Sequence, residues 1–326
     1  MRSKMNKYLQ CYALFFGLLV LVVLLQIIFY DVPLFSVLNI KNILLQTVSI
    51  SMMALGLSYI IMSGEADLSF AGMFSLLTVV FAIVANAANY FFIALIAVTA
   101  IAIGVNLIIA LLVTKLKFSS FIVSIAVMFM ANGIEKHLHQ QTTLINNDAI
   151  KSFSTIEFGL PLVVWLMALV YLVSYFVINK TKFGFDLRVV GENKHAAVEE
   201  GINGNKMKIS AYIIAGLLIA LAASVESTRV GAIYEQGQYY MLPVFAACYI
   251  GYSMFTPGRV NVAGTLVGAL FLGIIDNFMK MINVASHNVY ILMGAILIVS
   301  VGLASFKNRS KIVQIKLFSV EVDNRK

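Results

Sequence analysis

Long apolar segments separated by short polar breaks run through nearly the whole chain. Because a hydrocarbon core about 30 Å thick requires an apolar helix of about 20 residues, segments of that size are candidate membrane spans. Ten are predicted, at 8–30, 42–62, 67–86, 91–113, 119–136, 160–179, 209–228, 241–254, 261–280 and 289–305. The eighth is short for a full span. The pattern therefore predicts an all-α polytopic membrane protein of about ten transmembrane helices, forming a single domain over residues 1–326.

Basic residues in the polar breaks predict the orientation of the chain. The most basic break is the central loop, residues 180–208, whose lysine and arginine residues are Lys180, Lys182, Arg188, Lys194, Lys206 and Lys208. Loops this basic beside membrane spans are normally cytoplasmic. With ten spans, the N-terminus and the basic tail 306–326 fall on the same side as this loop. We therefore expect both termini to be cytoplasmic, and the first span to be retained as an anchor because it lacks a signal-peptide cleavage site.

Within the central loop, Glu192–Glu200 has the composition of a short amphiphilic helix. It would make about two turns, with Ala196 and Ala197 on one side and Gly201 following as a left-handed cap. Such a helix on the cytoplasmic face suits docking to a soluble partner. A solvated basic loop that only sets the membrane topology is an equally compatible interpretation.

Composition excludes several classes of protein. Of the 326 residues, 61% are hydrophobic and 12% are charged, and one core cannot hide that much apolar surface from water. The net charge of +8 does not indicate a nucleic-acid partner, since the basic residues cluster between apolar spans. Cys11 and Cys248 are far apart and form no metal-ligand motif, and the pair His137 and His139 has no further ligands nearby. Neither a metal nor another cofactor is expected.

A polar break of five residues, Ser63–Asp67, interrupts an apolar run of two span lengths. Glycine with two carboxylates in such a run indicates a tight reversal or a broken helix. One interpretation is structural, with an oxygen of Asp67 or Ser63 capping the next helix. The other is that the break lines a polar path or contacts a cytoplasmic partner, because carboxylates near membrane depth are unfavourable unless they are compensated.

Other ionisable residues near the spans occur as pairs. Glu226 and Arg229 are spaced i,i+3, and Asp276 and Lys280 are spaced i,i+4, so each pair can neutralise itself along one helix. A proton-coupled transporter would be expected to hold an unpaired carboxylate or histidine deep in a span, and the sequence shows no clear example. An intramembrane enzyme would need a motif such as DDxxD, HExxH or GxSxG, and the sequence has none.

Three stretches carry motifs in a fixed order. The first, Ser63–Gly72, contains Gly64, Asp67, Leu68 and Ser69 of a Gly-Gly-x-Asp-Leu-Ser-x-Gly pattern. The second contains Gly191, Asn193, Ala196, Ala197, Gly201 and Ile202 of a Gly-x-Asn-x-x-Ala-Ala-x-x-Ser-Gly-Ile pattern. The third, Met241–Gly268, contains Leu-Pro-x-Phe-Ala-Ala and Pro-Gly-Arg-x-Asn-Val-x-Gly-Thr. Together they resemble the permease subunits of bacterial ATP-binding-cassette importers for simple sugars, of the ribose and autoinducer-2 types.

The sequence departs from the family pattern at three places. Glu65-Ala66 replaces the usual glycine and aliphatic residue, and Met241-Leu242-Pro243 stands where Glu-Leu-Asp is common. Both departures leave the substrate open. Glu200 replaces a small residue before Gly201, and its negative charge fits an ATPase partner with a complementary basic edge.

The resemblance implies a bacterial inner-membrane permease that imports a small polyhydroxylated solute by alternating access. Its implied partners are a second permease subunit, identical or paralogous, a cytoplasmic ATP-binding subunit and an extracytoplasmic solute-binding protein. No GxxxxGK[ST] loop is present, so ATP hydrolysis is assigned to the partner and this chain is not expected to be an enzyme. Alternatives are a permease of this class for nucleosides or branched-chain amino acids, or an ion-coupled secondary transporter.

Two sets of site residues follow. The residues predicted to couple to the ATPase are Gly191, Glu192, Asn193, Ala196, Ala197, Glu200, Gly201 and Ile202. The residues predicted to face the solute path are Glu65, Asp67, Ser69, Asn106, Asn132, Tyr249, Tyr252 and Asn277. The long outer loop 137–159 is a candidate docking surface for the solute-binding protein.

Overall fold

The computed structural model describes residues 2–138, 141–154, 156–157, 159–255, 259–285 and 287–302. The predicted tail 306–326, the end of the tenth predicted span, His139, and Pro257 and Gly258 of the third motif lie outside the described residues.

The described chain is almost entirely helical. Its helices are α1 (Arg2–Ile28), α2 (Val37–Met62), α3 (Ser69–Ala88), α4 (Phe91–Thr114), α5 (Ser120–Leu138), α6 (Asp148–Lys151), α7 (Leu162–Lys180), α8 (Lys182–Glu192), α9 (Lys194–Glu199), α10 (Gly204–Val230), α11 (Gln236–Ser253), α12 (Val262–Met281) and α13 (His287–Gly302). A 3-10 turn, Ser152–Ser154, precedes a two-residue antiparallel ladder in which β1 (Ile156–Glu157) pairs with β2 (Leu160–Pro161).

Seven helices in the described part of the chain are long and apolar enough to cross a membrane: α2, α3, α4, α5, α7, α10 and α12. They confirm seven of the ten predicted spans and define a multi-pass membrane protein. The other three predicted spans coincide with α1, α11 and α13. The apolar parts of α1 and α13 are shorter, at Leu14–Ile28 and His287–Gly302, and α11 contains Pro243. A count of ten spans and the cytoplasmic location of the termini remain predictions.

Helix α2 lies at the centre of the bundle. In its most apolar 18-residue stretch 83% of the residues are buried, against 28% in α5 and 33% in α4 and in α7. It packs against α7, α10, α11 and α12. A helix buried on all sides needs apolar or small residues all round, which its run of buried serine, methionine and leucine residues provides. Helices α4, α5 and α7 therefore form the rim.

Small residues bring α11 and α12 into close contact. A Cβ on Gly264 would lie 2.9 Å from the carbonyl oxygen of Gly251, and one on Gly268 would lie 2.8 Å from that of Ala247. The GxxxG spacing of Gly264 and Gly268 therefore serves helix packing inside this chain.

The connections between spanning helices gather at two ends of the bundle. One end, here called the coupling face, holds the described residues of the connections 63–68, 115–119, 181–203 and 254–261. The other, the opposite face, holds the described residues of the connections 29–36, 89–90, 139–161, 231–235 and 282–286. One contact at each face supports this grouping: Ala66 N–H donates to Ser120 Oγ at the start of α5, and Thr143 pairs with Ala232 at the opposite face.

Candidate functional site

Helices α8 and α9 form the central part of the coupling face. The Thr181 hydroxyl accepts a hydrogen bond from Gly184 N–H at the start of α8. The Asn193 side chain caps α9 by accepting hydrogen bonds from His195 N–H (3.0 Å) and Ala196 N–H (3.2 Å). Caps of this kind satisfy N–H groups that have no partner within the helix. The central loop is therefore a pair of short, well-defined helices.

The helix predicted over Glu192–Glu200 is shorter than expected. Glu192 ends α8, and Asn193 has an extended backbone (φ −151°, ψ 101°), so α9 begins only at Lys194 and ends at Glu199. The prediction was wrong at its start because it missed the capping role of Asn193. The left-handed cap is confirmed, since Gly201 has φ +70° and Ile202 N–H donates to Ala197 C=O (2.8 Å).

Helix α9 has one buried and one exposed side. Ala197 is 2% exposed and faces the bundle, whereas Val198 is 71% exposed. Glu199 and Glu200 are also exposed. An exposed valine beside two carboxylates gives the outer surface of α9 both an apolar and an acidic contact. Of these residues sequence reasoning assigned Glu200 to ATPase coupling but neither Val198 nor Glu199, and Ala197, which it did assign, faces the bundle.

The first two sequence motifs meet at a pair of glycines. A Cβ on Gly191 would lie 2.1 Å from the carbonyl oxygen of Met62, and one on Gly64 would lie 3.2 Å from the α carbon of Gly191. Gly64 also has φ +82°, a conformation that other residues rarely adopt. The end of α8 therefore lies in direct backbone contact with the break between α2 and α3.

Two ion pairs support this contact. Glu65 in the break pairs with Lys208 on α10, and both side chains are largely buried. Glu192 at the end of α8 pairs with Arg259 (3.0 Å), with both side chains at least half exposed. The first pair ties the break to α10, and the second ties α8 to the connection before α12. Burial and the neighbouring Arg259 guanidinium lower the pKa of Arg188 on α8.

Asp67 lies fully buried just before α3. Its Oδ1 accepts a hydrogen bond from Ser69 N–H (2.7 Å), the first N–H of α3, but the N-cap position itself is held by Leu68 and not by Asp67 as predicted. Ser63 instead donates to Ile60 C=O. Asp67 Oδ2 is buried and has no hydrogen-bond partner within the described part of the chain. Burial raises the pKa of Asp67 from 3.8 to about 6.

The first turns of α3 and α11 pack against each other inside the bundle. A Cβ on Gly237 would lie 1.8 Å from the carbonyl oxygen of Ala71, and Gly237 N–H donates to Ser75 Oγ (2.6 Å). The connection that precedes α11 is also buried at Ala232. Helix N-terminal ends that meet within a bundle are a recurring feature of solute sites in transporters.

Sequence reasoning missed a buried polar cluster centred on Glu226. This carboxylate accepts hydrogen bonds from Ser49 Oγ (2.7 Å), Gln236 Nε2 (2.9 Å) and Tyr240 OH (2.8 Å), and it pairs with Arg229. The expected pairing of Glu226 with Arg229 is confirmed. The cluster also joins α2, α10 and α11, which the i,i+3 spacing did not reveal. The sequence feature that could have predicted this cluster is a carboxylate at membrane depth followed by several side chains that can form hydrogen bonds.

Two further carboxylates link the helices near the opposite face. Asp276 pairs with Lys280 (2.6 Å) as expected, and it also accepts a hydrogen bond from Tyr239 on α11. Glu135 Oε1 accepts from Glu235 N–H (2.8 Å). Both interactions hold the start of α11 in place.

The residues predicted for the solute path are only partly brought together. Asp67, Ser69 and Asn132 lie near the start of α3, since Asn132 contacts Gly72 one turn above Ser69. Glu65 lies below them, at the coupling face. Asn106 lies in the seam between α4 and α10, where it donates to Ala102 C=O (3.0 Å) and contacts Gly216. The remaining predicted residues are on other helices: Tyr249 and Tyr252, half-buried on α11, and Asn277, buried on α12.

Among the described residues, no group of three or more histidine, cysteine, aspartate or glutamate side chains could hold a metal ion. Cys248 is buried and its thiol donates to Ala54 C=O (2.9 Å). It therefore behaves as a small core residue.

The described residues form a multi-pass helical bundle in which a short helical pair packs on the break between α2 and α3, an arrangement that suits a membrane transport protein. The protein family described as "Branched-chain amino acid transport system / permease component" matches residues 39–301. The chain belongs to this family of permease components.

Its relatives are individual permeases of comparable length. The galactose/methyl galactoside import permease protein MglC of Escherichia coli is 31% identical over 316 residues, covering 90% of this chain and 94% of that protein. The ribose import permease protein RbsC of Bacillus subtilis is 29% identical over 299 residues, covering 88% and 90%. The L-arabinose transport system permease protein AraH of Escherichia coli is 27% identical over 278 residues, covering 84% of each chain. No solved structure matches the chain.

Proposed function

We propose that this chain is the membrane-spanning permease subunit of an ATP-driven importer for a sugar or a sugar-like solute. The relatives named for ribose, galactose and arabinose support this solute class. The single structural observation that carries the proposal is the contact of Gly191 with Gly64, which joins α8 and α9 to the break between α2 and α3. Such a junction is what a permease driven from outside the membrane requires.

The charge distribution supports an orientation with the coupling face in the cytoplasm. At this face lie the basic residues Lys115, Lys117, Lys180, Lys182, Arg188, Lys194, Lys206, Lys208 and Arg259. Fewer lie at or near the opposite face: Lys41, Lys136, Lys151, Arg229 and Lys280. Because cytoplasmic loops carry the excess of lysine and arginine, we assign the coupling face to the cytoplasm and the chain to the bacterial inner membrane. With ten spans, both termini are cytoplasmic.

The ATP-binding subunit docks on the exposed side of α9. Val198 supplies an apolar contact there, and Glu199 and Glu200 supply negative charge for a basic edge on the partner. Residues Gly191–Ile202 surround this surface as the coupling segment. The solute-binding protein docks at the opposite face, where the connection 139–161 is the longest. A second permease subunit, identical or paralogous, completes the path.

The proposed mechanism is a rigid-body movement passed along packed elements. Closure of the ATPase on ATP displaces α9, and α8 moves with it because both belong to one packed segment. The backbone contact of Gly191 with Gly64 and the Glu65–Lys208 pair pass the displacement to the start of α3. Because α3 packs on the first turn of α11 at Gly237, these two helices shift together and alternate the access of the solute site.

An ion-coupled secondary transporter is the second candidate function. Sequence reasoning found no clear unpaired carboxylate, but Asp67 is buried and makes no ion pair within the described residues. Such a group is a proton-site candidate. Membership of the permease family and the similarity to sugar import permeases favour the ATP-driven importer.

A gentle detergent pull-down of the tagged chain from its native membrane, followed by mass spectrometry, tests the proposal. We expect a Walker-motif ATPase to co-purify and to dissociate when Val198, Glu199 and Glu200 are replaced by serine. A matched variant with Lys180 and Lys182 replaced by serine should retain the ATPase. Recovery of the chain alone, with solute uptake in vesicles that lack ATP, would contradict the proposal and favour a secondary transporter.

A further inference from the structure

A cavity of about 560 Å³ lies behind the coupling segment. Its walls come from the end of α4, the connection 115–119, the end of α8, both buried and exposed residues of α9, and the start of α10. Val190 and Ala197, which face the bundle, form part of the lining. The cavity therefore lies between α9 and the bundle, and Val198 of the surface proposed to meet the ATPase also belongs to its lining. Its volume lies in the range of small-molecule sites.

The charged residues that line the cavity are mostly positive. Lys117, Lys194 and Lys208 belong to three different elements, the connection 115–119, α9 and α10, and Glu65 is the lining carboxylate. Glu65 is neutralised by Lys208. Neither Lys117 nor Lys194 makes an ion pair within the described part of the chain. Two ammonium groups without a paired carboxylate, both on exposed side chains, thus border one concave site and give it a positive potential.

Neutral hydrogen-bond donors add to the positive potential. Ser119 and Ser120 lie at the start of α5, and Asn203 and Asn205 lie at the start of α10. The Asn203 Oδ1 caps α10 by accepting from Lys206 N–H, so its amide nitrogen remains as a donor. Two helix N-terminal ends therefore line the cavity together with the lysines, and both favour a negative ligand.

We propose that this cavity binds a phosphate-bearing anion, supplied either by a soluble phosphate compound or by the head group of an anionic lipid. Charge-assisted hydrogen bonds from Lys117 and Lys194 hold the phosphate. Because Lys194 belongs to α9 and Lys117 to the connection before α5, the bound anion ties α9 to the bundle and restrains its movement. This regulatory consequence rests on the proposed function, whereas the binding itself does not.

The binding test uses the purified full chain in nanodiscs of phosphatidylcholine. The thermal unfolding temperature is measured with increasing inorganic phosphate, against sodium chloride at matched ionic strength. A ligand that binds only the folded chain raises this temperature. We compare the wild type with Lys117→Gln/Lys194→Gln and with Lys117→Gln/Lys206→Gln. The two double variants lose the same charge, but Lys206 is an exposed residue of α10 outside the cavity.

We expect phosphate to raise the unfolding temperature of the wild type. The rise should be smaller in Lys117→Gln/Lys206→Gln and absent in Lys117→Gln/Lys194→Gln. This result would identify a soluble phosphate compound as the source of the anion. A lipid source predicts no such rise. It predicts instead that native mass spectrometry of nanodiscs with phosphatidylglycerol finds a retained lipid that Lys117→Gln/Lys194→Gln loses. Identical behaviour of the wild type and Lys117→Gln/Lys194→Gln in both experiments would overturn the proposal. Neither readout requires an ATPase, so failure here leaves the importer proposal standing.

Discussion

Gly191 on α8 packs in direct backbone contact with Gly64 in the break between α2 and α3, with no room for a side chain at position 191. A Cβ there would lie 2.1 Å from the carbonyl oxygen of Met62. Gly64 and Gly191 are 127 residues apart in the sequence, but their contact makes the break and the coupling segment move together. The proposed transport mechanism depends on this contact.

We predict that Gly191→Ala uncouples ATP hydrolysis from uptake. The added methyl group must displace α8 from the break, and overpacking of this kind costs about 1–3 kcal/mol. The ratio of solute transported to ATP hydrolysed in the reconstituted importer should fall, together with the thermal unfolding temperature. Gly204→Ala is the matched control, because a Cβ at Gly204 would meet Val190 only at an ordinary 3.5 Å. Equal coupling in both variants would contradict the mechanical role of the contact.

The cap at Gly201 gives a second prediction. Its φ of +70° is unfavourable for a β-branched residue, although nothing lies within 4 Å of an added Cβ. Gly201→Val should therefore distort the end of α9 through its backbone alone, at about 1–2 kcal/mol, and uncouple hydrolysis from uptake while the protein remains in the membrane. Gly201→Asn should largely retain coupling, since asparagine tolerates the left-handed conformation. Normal uptake in Gly201→Val would remove the coupling assignment.

We expect the buried cluster around Glu226 to contribute more to the free energy of unfolding than any ion pair on the surface. Glu226→Gln leaves Arg229 without its carboxylate inside the bundle, and loss of one partner of a buried pair typically costs about 3–5 kcal/mol. Ser49→Ala removes one donor to the same carboxylate and should cost only about 1 kcal/mol. Thermal unfolding in detergent measures both. A smaller effect for Glu226→Gln than for Ser49→Ala would show that the ion pair does not hold these helices together.

Asp67 should make stability depend on pH. Because its pKa is raised from 3.8 to about 6, the folded chain binds more protons than the unfolded chain between these values. The stability of the wild type should therefore fall as pH rises from about 4 to about 6 and then level off. Asp67→Asn keeps an oxygen acceptor for Ser69 N–H and removes this loss, so it should be more stable at pH 7 by up to about 3 kcal/mol. The difference between the two proteins should vanish near pH 4. A difference in stability between the two proteins that does not change with pH would argue against burial of the Asp67 carboxylate.

Much of the fold could be predicted because apolar segments of span length are local features. Within the described residues each of the ten predicted segments overlaps a helix, and the break at Ser63–Asp67 separates α2 from α3. Gly201 was identifiable because a glycine after a short helix has a specific backbone role. The start of α9 was misplaced because the capping by Asn193 depends on one side-chain geometry.

The helix partners could not be predicted. Ser49 and Glu226 are 177 residues apart, and neither the spacing nor the hydropathy of α2 and α10 indicates that they meet. The same holds for Gly237 against Ala71, which depends on how deeply two connections enter the bundle. The i,i+4 spacing predicted the ion pair of Asp276 with Lys280, but it did not predict the hydrogen bond that Tyr239 donates to Asp276. Tertiary contacts of this kind are set by packing rather than by sequence pattern.

Uptake in proteoliposomes tests the central claim most directly. The chain, its co-purifying ATPase and the associated solute-binding protein are reconstituted together, and accumulation of radiolabelled ribose, galactose and arabinose is measured with and without ATP. The account predicts ATP-dependent accumulation of a sugar that is lost when the ATPase is omitted. Accumulation by this chain alone, driven by an ion gradient without ATP, would contradict it.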